Sequence, residues 1–420
     1  MRLKFNKEGA NCILKKKHIL IIEATTSGAG LEIIKSALNN GIKVTFITSN
    51  LAKYMGDKNK YIFDEINIKE IIDTTEEKYL DEAIHHINEQ STIDGVISLS
   101  DSNVEVVSKI CKKNGWTFMN PSAVEIARNK DLTRKSLEKI NILMPKFAVI
   151  QTKEDLMSFS GESDYPFILK NTKGTGSIDV ILCNNEKELF EAYDTLLVNK
   201  NEKSKIIIEE YLVGPLISVE SIIWKKDVTV LGFTNRSLGS LPHFVEVSYD
   251  FPFNIGEEKS KELIELQNKI IEYLGIDYGA VHIEFIITKK GPALIEINPR
   301  LGGGLLGRMI SDSLGMDIYS ELIRIALNEK PVLDFKANKG ASTYVIYPEK
   351  EGILKDIDIS LAKKINGIKE IYLKKNIGDL VNPPVNFRGD IGHIYSVAET
   401  AELSRKYAET AKSNIYMEIM

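Results

Sequence analysis

The 420-residue chain is poor in cysteine and in charge imbalance, and each shortage closes a class of explanation. Its three cysteines, Cys12, Cys111 and Cys183, are too few and too scattered for a disulfide framework or a zinc cluster. They read as buried thiols in a reducing compartment. Lysine and arginine number 54 against 59 acidic residues, a net charge of −5, so the basic excess of a nucleic-acid-binding surface is missing. Long hydrophobic runs are missing too. The earliest, residues 19–22, is bounded by Lys15-Lys16-Lys17 and Glu23, too short for a signal core or a membrane span. Fixed-period repeats and low-complexity tracts do not occur. What remains is 43% hydrophobic and 27% charged, enough apolar material for several cores. At roughly 150 residues per domain, two or three domains are expected. The expectation is a cytoplasmic protein with no nucleic-acid or membrane partner.

Residues 1–16 read as a polar extension, and from Lys17 the pattern becomes regular. The run His18-Ile-Leu-Ile-Ile, helical spacing from Leu31 to Leu38, Gly41-Ile-Lys-Val-Thr-Phe-Ile and Asp94-Gly-Val-Ile-Ser-Leu alternate strand with helix. That rhythm predicts a parallel sheet flanked by helices. The loop Thr25-Thr-Ser-Gly28-Ala-Gly30 lacks most of a dinucleotide fingerprint. Ile33 stands where the third glycine belongs, and Thr48, Ser49 and Asn50 where the ribose acid belongs. A tight structural turn is the reading carried forward. After residue 119 the strands come in pairs. Tyr165-Pro-Phe-Ile-Leu-Lys, a Gly/Ser turn and Asp179-Val-Ile-Leu-Cys predict a hairpin, and residues 205–210 with 216–224 a second pair. Lys259 to Leu274 is an amphipathic helix. The fold class is therefore α/β followed by α+β, with parts at 1–119, 120–335 and 336–420. The last part has short strands, the turn-prone Asn382-Pro-Pro and a final helix beginning near Ala398.

Four stretches carry chemistry. The strongest is the hairpin His282-Ile-Glu-Phe-Ile-Ile-Thr-Lys-Lys-Gly-Pro-Ala-Leu-Ile-Glu-Ile-Asn-Pro-Arg. Alternate residues of a strand share a face, so His282 and Glu284 face one way on the first strand. Glu296, Asn298 and Arg300 line one face of the second, with Ile295 and Ile297 toward the core. The turn at Lys289-Lys290-Gly291 brings Glu284 near Glu296. Two carboxylates and an amide are the hard oxygen ligands that magnesium takes while keeping positions for phosphate, and Arg300 offers a bidentate fork. The alternative is a solvent-facing sheet with routine alternating charge, though adjacent acids without a cation repel.

The second stretch is Lys170-Asn-Thr-Lys-Gly174-Thr-Gly176-Ser177, where a strand-ending lysine precedes a turn able to close over phosphates through backbone N–H groups. An ordinary flexible hairpin is the competing reading. Third, the buried strand 206–208 ends at Glu209-Glu210-Tyr211-Leu212 before Val213-Gly214. It is either a hinge whose backbone reads an adenine edge or a plain strand terminus. Fourth, Lys130 in Asn129-Lys130-Asp131-Leu-Thr-Arg134 opens a helix, and from the residues alone it reads as a solvated charge.

Together and in this order the stretches resemble the ATP-grasp superfamily over most of the chain. The resemblance implies a preATP-grasp domain, a central domain with a lid subdomain at about 146–213, and a small C-terminal domain. It implies ATP with Mg²⁺ (or Mn²⁺ as a substitute) as cofactors. Lys130 and Lys170 become phosphate ligands, Gly174, Gly176 and Ser177 the lid, and Glu209, Glu210, Tyr211 and Leu212 the adenine hinge. Glu284, Glu296 and Asn298 become the metal ligands, in the spacing of biotin carboxylase-like members. Many members place a ribose acid a few residues after the hinge, whereas here Gly214-Pro215 leads to Leu216; either Glu220 substitutes or the acid is missing.

Leu238-Gly-Ser-Leu-Pro-His243-Phe-Val-Glu246-Val, the His-x-Glu at His282, and Asn298-Pro-Arg-Leu-Gly-Gly-Gly304 further resemble L-amino acid ligases of the bacilysin synthetase type. This implies an ADP-forming C–N ligase joining a carboxylate and an amine, both small molecules and amino acids by class, through an acyl phosphate. Lys170 and Arg300 are its implied catalytic groups, Arg300 stabilising the tetrahedral oxyanion. His243, Glu246, His282 and Arg308 border its implied substrate pocket; Glu246 would meet an ammonium and Arg308 a carboxylate, against a plain loop acid and a helix-surface arginine. A homodimer is the expected assembly. The rivals are a purine-pathway-like carboxylase or formyltransferase of the same fold, and a non-catalytic nucleotide-binding protein.

Overall fold

The computed structural model describes residues 17–25, 29–55, 60–199 and 204–420. The polar extension with Cys12, and Gly28 of the first loop, lie outside the described residues. The first sheet is parallel, as the alternation requires. It orders β3 (Asn67–Glu70), β2 (Lys43–Thr48), β1 (His18–Ile22) and β4 (Gly95–Ile97) side by side. All five β1 residues are buried, because helices cover both faces of a parallel sheet.

A small antiparallel sheet follows, ordered β5 (Phe147–Ile150), β8 (Ile206–Glu210), β6 (Phe167–Asn171) and β7 (Val180–Cys183). The expected β6–β7 hairpin forms, with Lys170 opposite Val180. The second expected pair does not. β8 is held between β5 and β6, whereas β9 (Leu216–Trp224) joins a different sheet beside β10 (Asp227–Leu238) and β12 (Tyr278–Thr288). Gly214 and Pro215 part the two strands. A Cβ at Gly214 would lie 2.2 Å from the Ile287 carbonyl oxygen, so only glycine lets the crossing chain pass that close.

The main sheet has eight strands. In spatial order these are β13 (Gly291–Asn298), β12, β9, β10, β11 (Glu246–Phe251), β14 (Gly340–Ile346), β18 (Gly392–Ala398) and β16 (Ile368–Leu373). The segment after residue 336 thus extends the same sheet, and a smaller sheet orders β17 (Leu380–Val381), β15 (Gly352–Asp358) and β19 (Tyr416–Ile419). The expected amphipathic helix spans Glu257–Leu274, and the last helix Ala401–Ser413 starts where Thr400 accepts from the Leu403 N–H.

One core ties the parallel sheet to the large one. Helices Leu306–Leu314 and Ile318–Ala326 sit between them, with Met309, Ile310, Ile318 and Ile323 at most 1% exposed. Each such side chain contributes about 1.5–3 kcal/mol when fully buried. This packing, rather than any loop, sets where the carboxyl ends of β1 and β4 face the large sheet. Among the described residues no helix is long and apolar enough to cross a membrane.

Candidate active site

Between the parallel sheet, the β6–β7 turn and the large sheet lies a cavity of about 710 Å³. Its floor is one face of the large sheet. β12 and β13 pair with His282 opposite Asn298 and Glu284 opposite Glu296, so the expected shared face forms. A bulge follows directly, since Phe285 opposes Leu294 and leaves Ile295 without a partner. Ile295 therefore does not join Ile297 in the core as expected; its carbonyl instead accepts from Arg134 Nη2 at 2.8 Å. Glu284, Glu296 and Asn298 all line the cavity.

Among the described residues no cluster of three or more His, Cys, Asp or Glu is set to hold a metal. Two facing carboxylates and one amide oxygen nevertheless fit magnesium, which takes few protein ligands and completes its shell with phosphate and water. Each acid meets a cation of the protein. Arg236 Nη1 lies 2.9 Å from Glu284, and Lys130 Nζ 3.2 Å from Glu296.

Lys130 is not the solvated charge its sequence context suggested. It begins the helix Lys130–Glu138, is 7% exposed, and also donates to the Gly174 carbonyl at 2.8 Å. One turn on, Arg134 is wholly buried and donates through Nε to Glu209 at 3.0 Å. Lys170 reaches the other Glu209 oxygen at 2.6 Å. Burial pushes the Glu209 carboxyl up, but the charges of Arg134 and Lys170 outweigh it and hold it at about 2. Burial draws Lys170 below the ordinary lysine value, with Arg134 and Lys130 acting the same way against the attraction of Glu209.

The β6–β7 turn leans over the cavity, where Gly176 and Ser177 line it. Gly176 takes φ 61°, and the Ser177 hydroxyl donates to the Phe244 carbonyl. The hinge residues 209–212 lie outside this cavity's lining. The Glu210 N–H donates to the Lys146 carbonyl and the Tyr211 N–H to the Pro166 carbonyl. Both donors are thus taken by the lid sheet.

Beside the metal corner, His282 is buried with Nδ1 2.8 Å from Glu220 and Nε2 3.1 Å from Glu284. Burial alone would lower its pKa. The charge and hydrogen bonds of Glu220 and Glu284 overcome this and place it at about 9. Glu220 is also sealed, accepting from Ser218 at 2.7 Å and Thr234 at 2.9 Å. It supports His282 from beneath the floor and cannot stand in for a ribose acid. Burial raises and Arg236 lowers the Glu284 carboxyl, with His282 adding to Arg236, and the net effect holds it well below the usual carboxylate range.

Arg236 is the residue that sequence reasoning missed. It joins Glu284 to Glu246 at the centre of the floor, and its Nε has no protein partner. The signal was there, since Thr234 and Arg236 alternate with buried Phe233 along β10. Asp101, just past β4, was missed too. It takes Arg300 Nε at 2.7 Å and Arg128 Nη1 at 3.1 Å. The rule that ligands gather at the carboxyl ends of parallel strands points to that loop.

Of the expected substrate residues, Glu246 and His282 line the cavity, while His243 and Arg308 do not. His243 is half-buried in the loop before β11. Arg308 pairs with Glu370 at 2.6 Å and lies 4.2 Å over the Tyr395 ring, so its charge is engaged by the large sheet. Arg300 lines the cavity, held by Asp101.

Comparison with known proteins follows this geometry. Residues 163–308 match the ATP-grasp domain model, and residues 344–420 match L-amino acid ligase C-terminal domain 2; between them they cover more than half of the chain. An uncharacterized protein of Sinorhizobium fredii is 28% identical over 81% of this chain and 70% of its own length. An L-arginine-specific L-amino acid ligase of Bacillus subtilis is 21% identical over 69% of this chain and 72% of its own. The crystal structure of an L-amino acid ligase from Bacillus licheniformis superposes with a TM-score of 0.81 at 22% identity, covering 97% of this chain and 99% of that one. The chain thus carries an ATP-grasp domain and an L-amino acid ligase C-terminal domain, and its fold is shared with an L-amino acid ligase.

Proposed function

We propose that the protein joins the carboxylate of one amino acid to the amine of another, using ATP and releasing ADP and phosphate. The observation that carries this reading is Glu284 facing Glu296 across β12 and β13, in a cavity also lined by Arg236 and Arg300 and closed by the β6–β7 turn. Lys130 and Lys170 would hold the phosphates, with the Gly174–Ser177 turn above them keeping water out. Leu212 and the backbone around it would read the adenine, since the Glu210 and Tyr211 N–H groups are engaged. Magnesium on Glu284, Glu296 and Asn298 would neutralise charge on the transferring phosphoryl group.

In this reading the substrate carboxylate attacks the γ-phosphorus, and ADP departs with the electrons of the broken P–O bond. The amine then attacks the acyl carbon and phosphate leaves. Arg300, oriented by Asp101, is placed to meet the tetrahedral oxyanion, and Glu246 to meet the incoming ammonium. Asp101 acts through Arg300 and is a positioning residue.

The test is a panel of amino acids, singly and in pairs, with MgATP, scored by phosphate release and by mass detection of the product. The expected result is ATP-dependent dipeptide formation, with ADP released, for a restricted set of pairs. Glu296→Ala should cut turnover about a thousandfold or more while the circular dichroism spectrum is unchanged. Full activity in that variant, or turnover with bicarbonate or formate alone, sinks the assignment.

A further inference from the structure

The far wall of the cavity carries groups that the phosphoryl chemistry does not use. β14 and β18 pair with Val345 opposite His393, and Thr343, Val345, Tyr347 and His393 line the cavity. Most polar groups there are engaged. The Tyr347 hydroxyl donates to the Glu246 carbonyl at 3.2 Å, and Asp390 accepts from Lys374 at 2.7 Å.

His393 differs. Its ring leans on Tyr372, centroids 5.3 Å apart, and its Nε2 is buried with no protein partner. Burial holds its pKa below the ordinary histidine value, outweighing the opposite pull of Glu370 and Asp390 while Arg308 acts with burial. The imidazole is therefore neutral near pH 7, with one N–H to donate and one lone pair to accept. An unpaired buried ring nitrogen is destabilising, a cost that a leucine of similar bulk would avoid. Such an atom on a cavity wall is one that a ligand completes.

We infer that His393 is a specificity-determining residue, whose Nε2 pairs with the polar tip of a long substrate side chain laid along the floor from Glu246 toward β18. The sheet sets the length, because β11 and β18 stand two strand spacings apart, about 10 Å. A methyl side chain anchored near Glu246 falls short of the ring, and an extended glutamine or arginine side chain approaches it. Tyr347 and Val345 supply the walls along the way. The inference rests on the amide-ligase reading of this same cavity and adds to it the substrate class: amino acids with a long, hydrogen-bonding side chain.

The experiment compares glutamine with norleucine, which lacks the polar tip, each against a fixed partner amino acid and MgATP. Wild-type enzyme should favour glutamine. His393→Leu should lower the glutamine-to-norleucine ratio of kcat/KM about tenfold, mainly through KM for glutamine. His393→Gln, which keeps a donor and an acceptor, should recover part of that ratio, and circular dichroism should find both variants folded. A His393→Leu ratio equal to wild type overturns the inference, as does wild-type indifference to the tip. Absence of ADP release with every amino acid overturns the ligase reading, and this one with it. Turnover without tip selection overturns only the role of His393.

Discussion

The lid sheet and the cavity floor treat charge in opposite ways. At the lid end, Glu209 is shared between Arg134 and Lys170, and all three are at most 5% exposed. On the floor, Arg236, Glu246, Glu284 and His282 share partners in a cluster that lines the cavity and leaves Arg236 Nε unpaired. The difference teaches where each end does its work. A buried acid held by two cations has one arrangement, which suits a frame that must present a lysine in a constant place. A cluster that lines the cavity can exchange partners when a cation or a substrate arrives.

Substitution should separate the two ends most sharply. Arg134→Met leaves the buried Glu209 with a single cation, and should cost about 3–5 kcal/mol of stability in denaturant unfolding. Arg236→Met removes a cation of comparable burial, yet Glu284 and Glu246 keep His282 and the cavity. Its loss should appear in turnover far more than in stability. Equal destabilisation by the two variants would erase the distinction.

pH should break the same two ends in opposite directions, measured by thermal unfolding without divalent cation. Glu209 titrates at about 2 when folded, below its ordinary 4.5. Its contribution is fully present above about pH 4.5 and lost as pH falls toward 2, on the order of 3 kcal/mol. Glu209→Gln should remove that acid-side slope. His282 titrates at about 9 when folded against an ordinary 6.5. Its contribution is present below about pH 6.5 and lost as pH rises through 9, so His282→Gln should flatten the alkaline side.

The smallest expected effect joins the ends. Ser177→Ala removes the hydroxyl that ties the turn to Phe244. The KM for ATP should rise about three- to tenfold with little change in melting temperature, matching one hydrogen bond of about 1 kcal/mol. An unchanged KM would mean that this contact does not hold the turn closed.

Much of the site could be read from the chain because strand periodicity is local. Alternation placed Glu284 and Glu296 on facing positions, and the pairing of β12 with β13 follows from a short turn. The parallel first sheet, the β6–β7 hairpin and the helix Glu257–Leu274 were legible for the same reason. Failures occurred where a strand had to choose among distant partners. Residues 206–210 and 216–224 looked like neighbours, yet Gly214 and Pro215 send them to different sheets. The bulge that frees Ile295 was equally invisible, because one extra residue in a ladder leaves no mark in composition.

The sequence by itself determined which residues could carry phosphate and metal chemistry, and the order in which the chain presents them. Only the tertiary structure decided their partners. It buried Lys130 against Gly174, drew Arg300 to Asp101 from the parallel sheet, sealed Glu220 under His282, and turned Arg308 toward Glu370. The reason is physical. Periodicity sets the face on which a side chain stands, whereas the charge it meets is set by packing between segments far apart in the chain, such as Asp101 and Arg300.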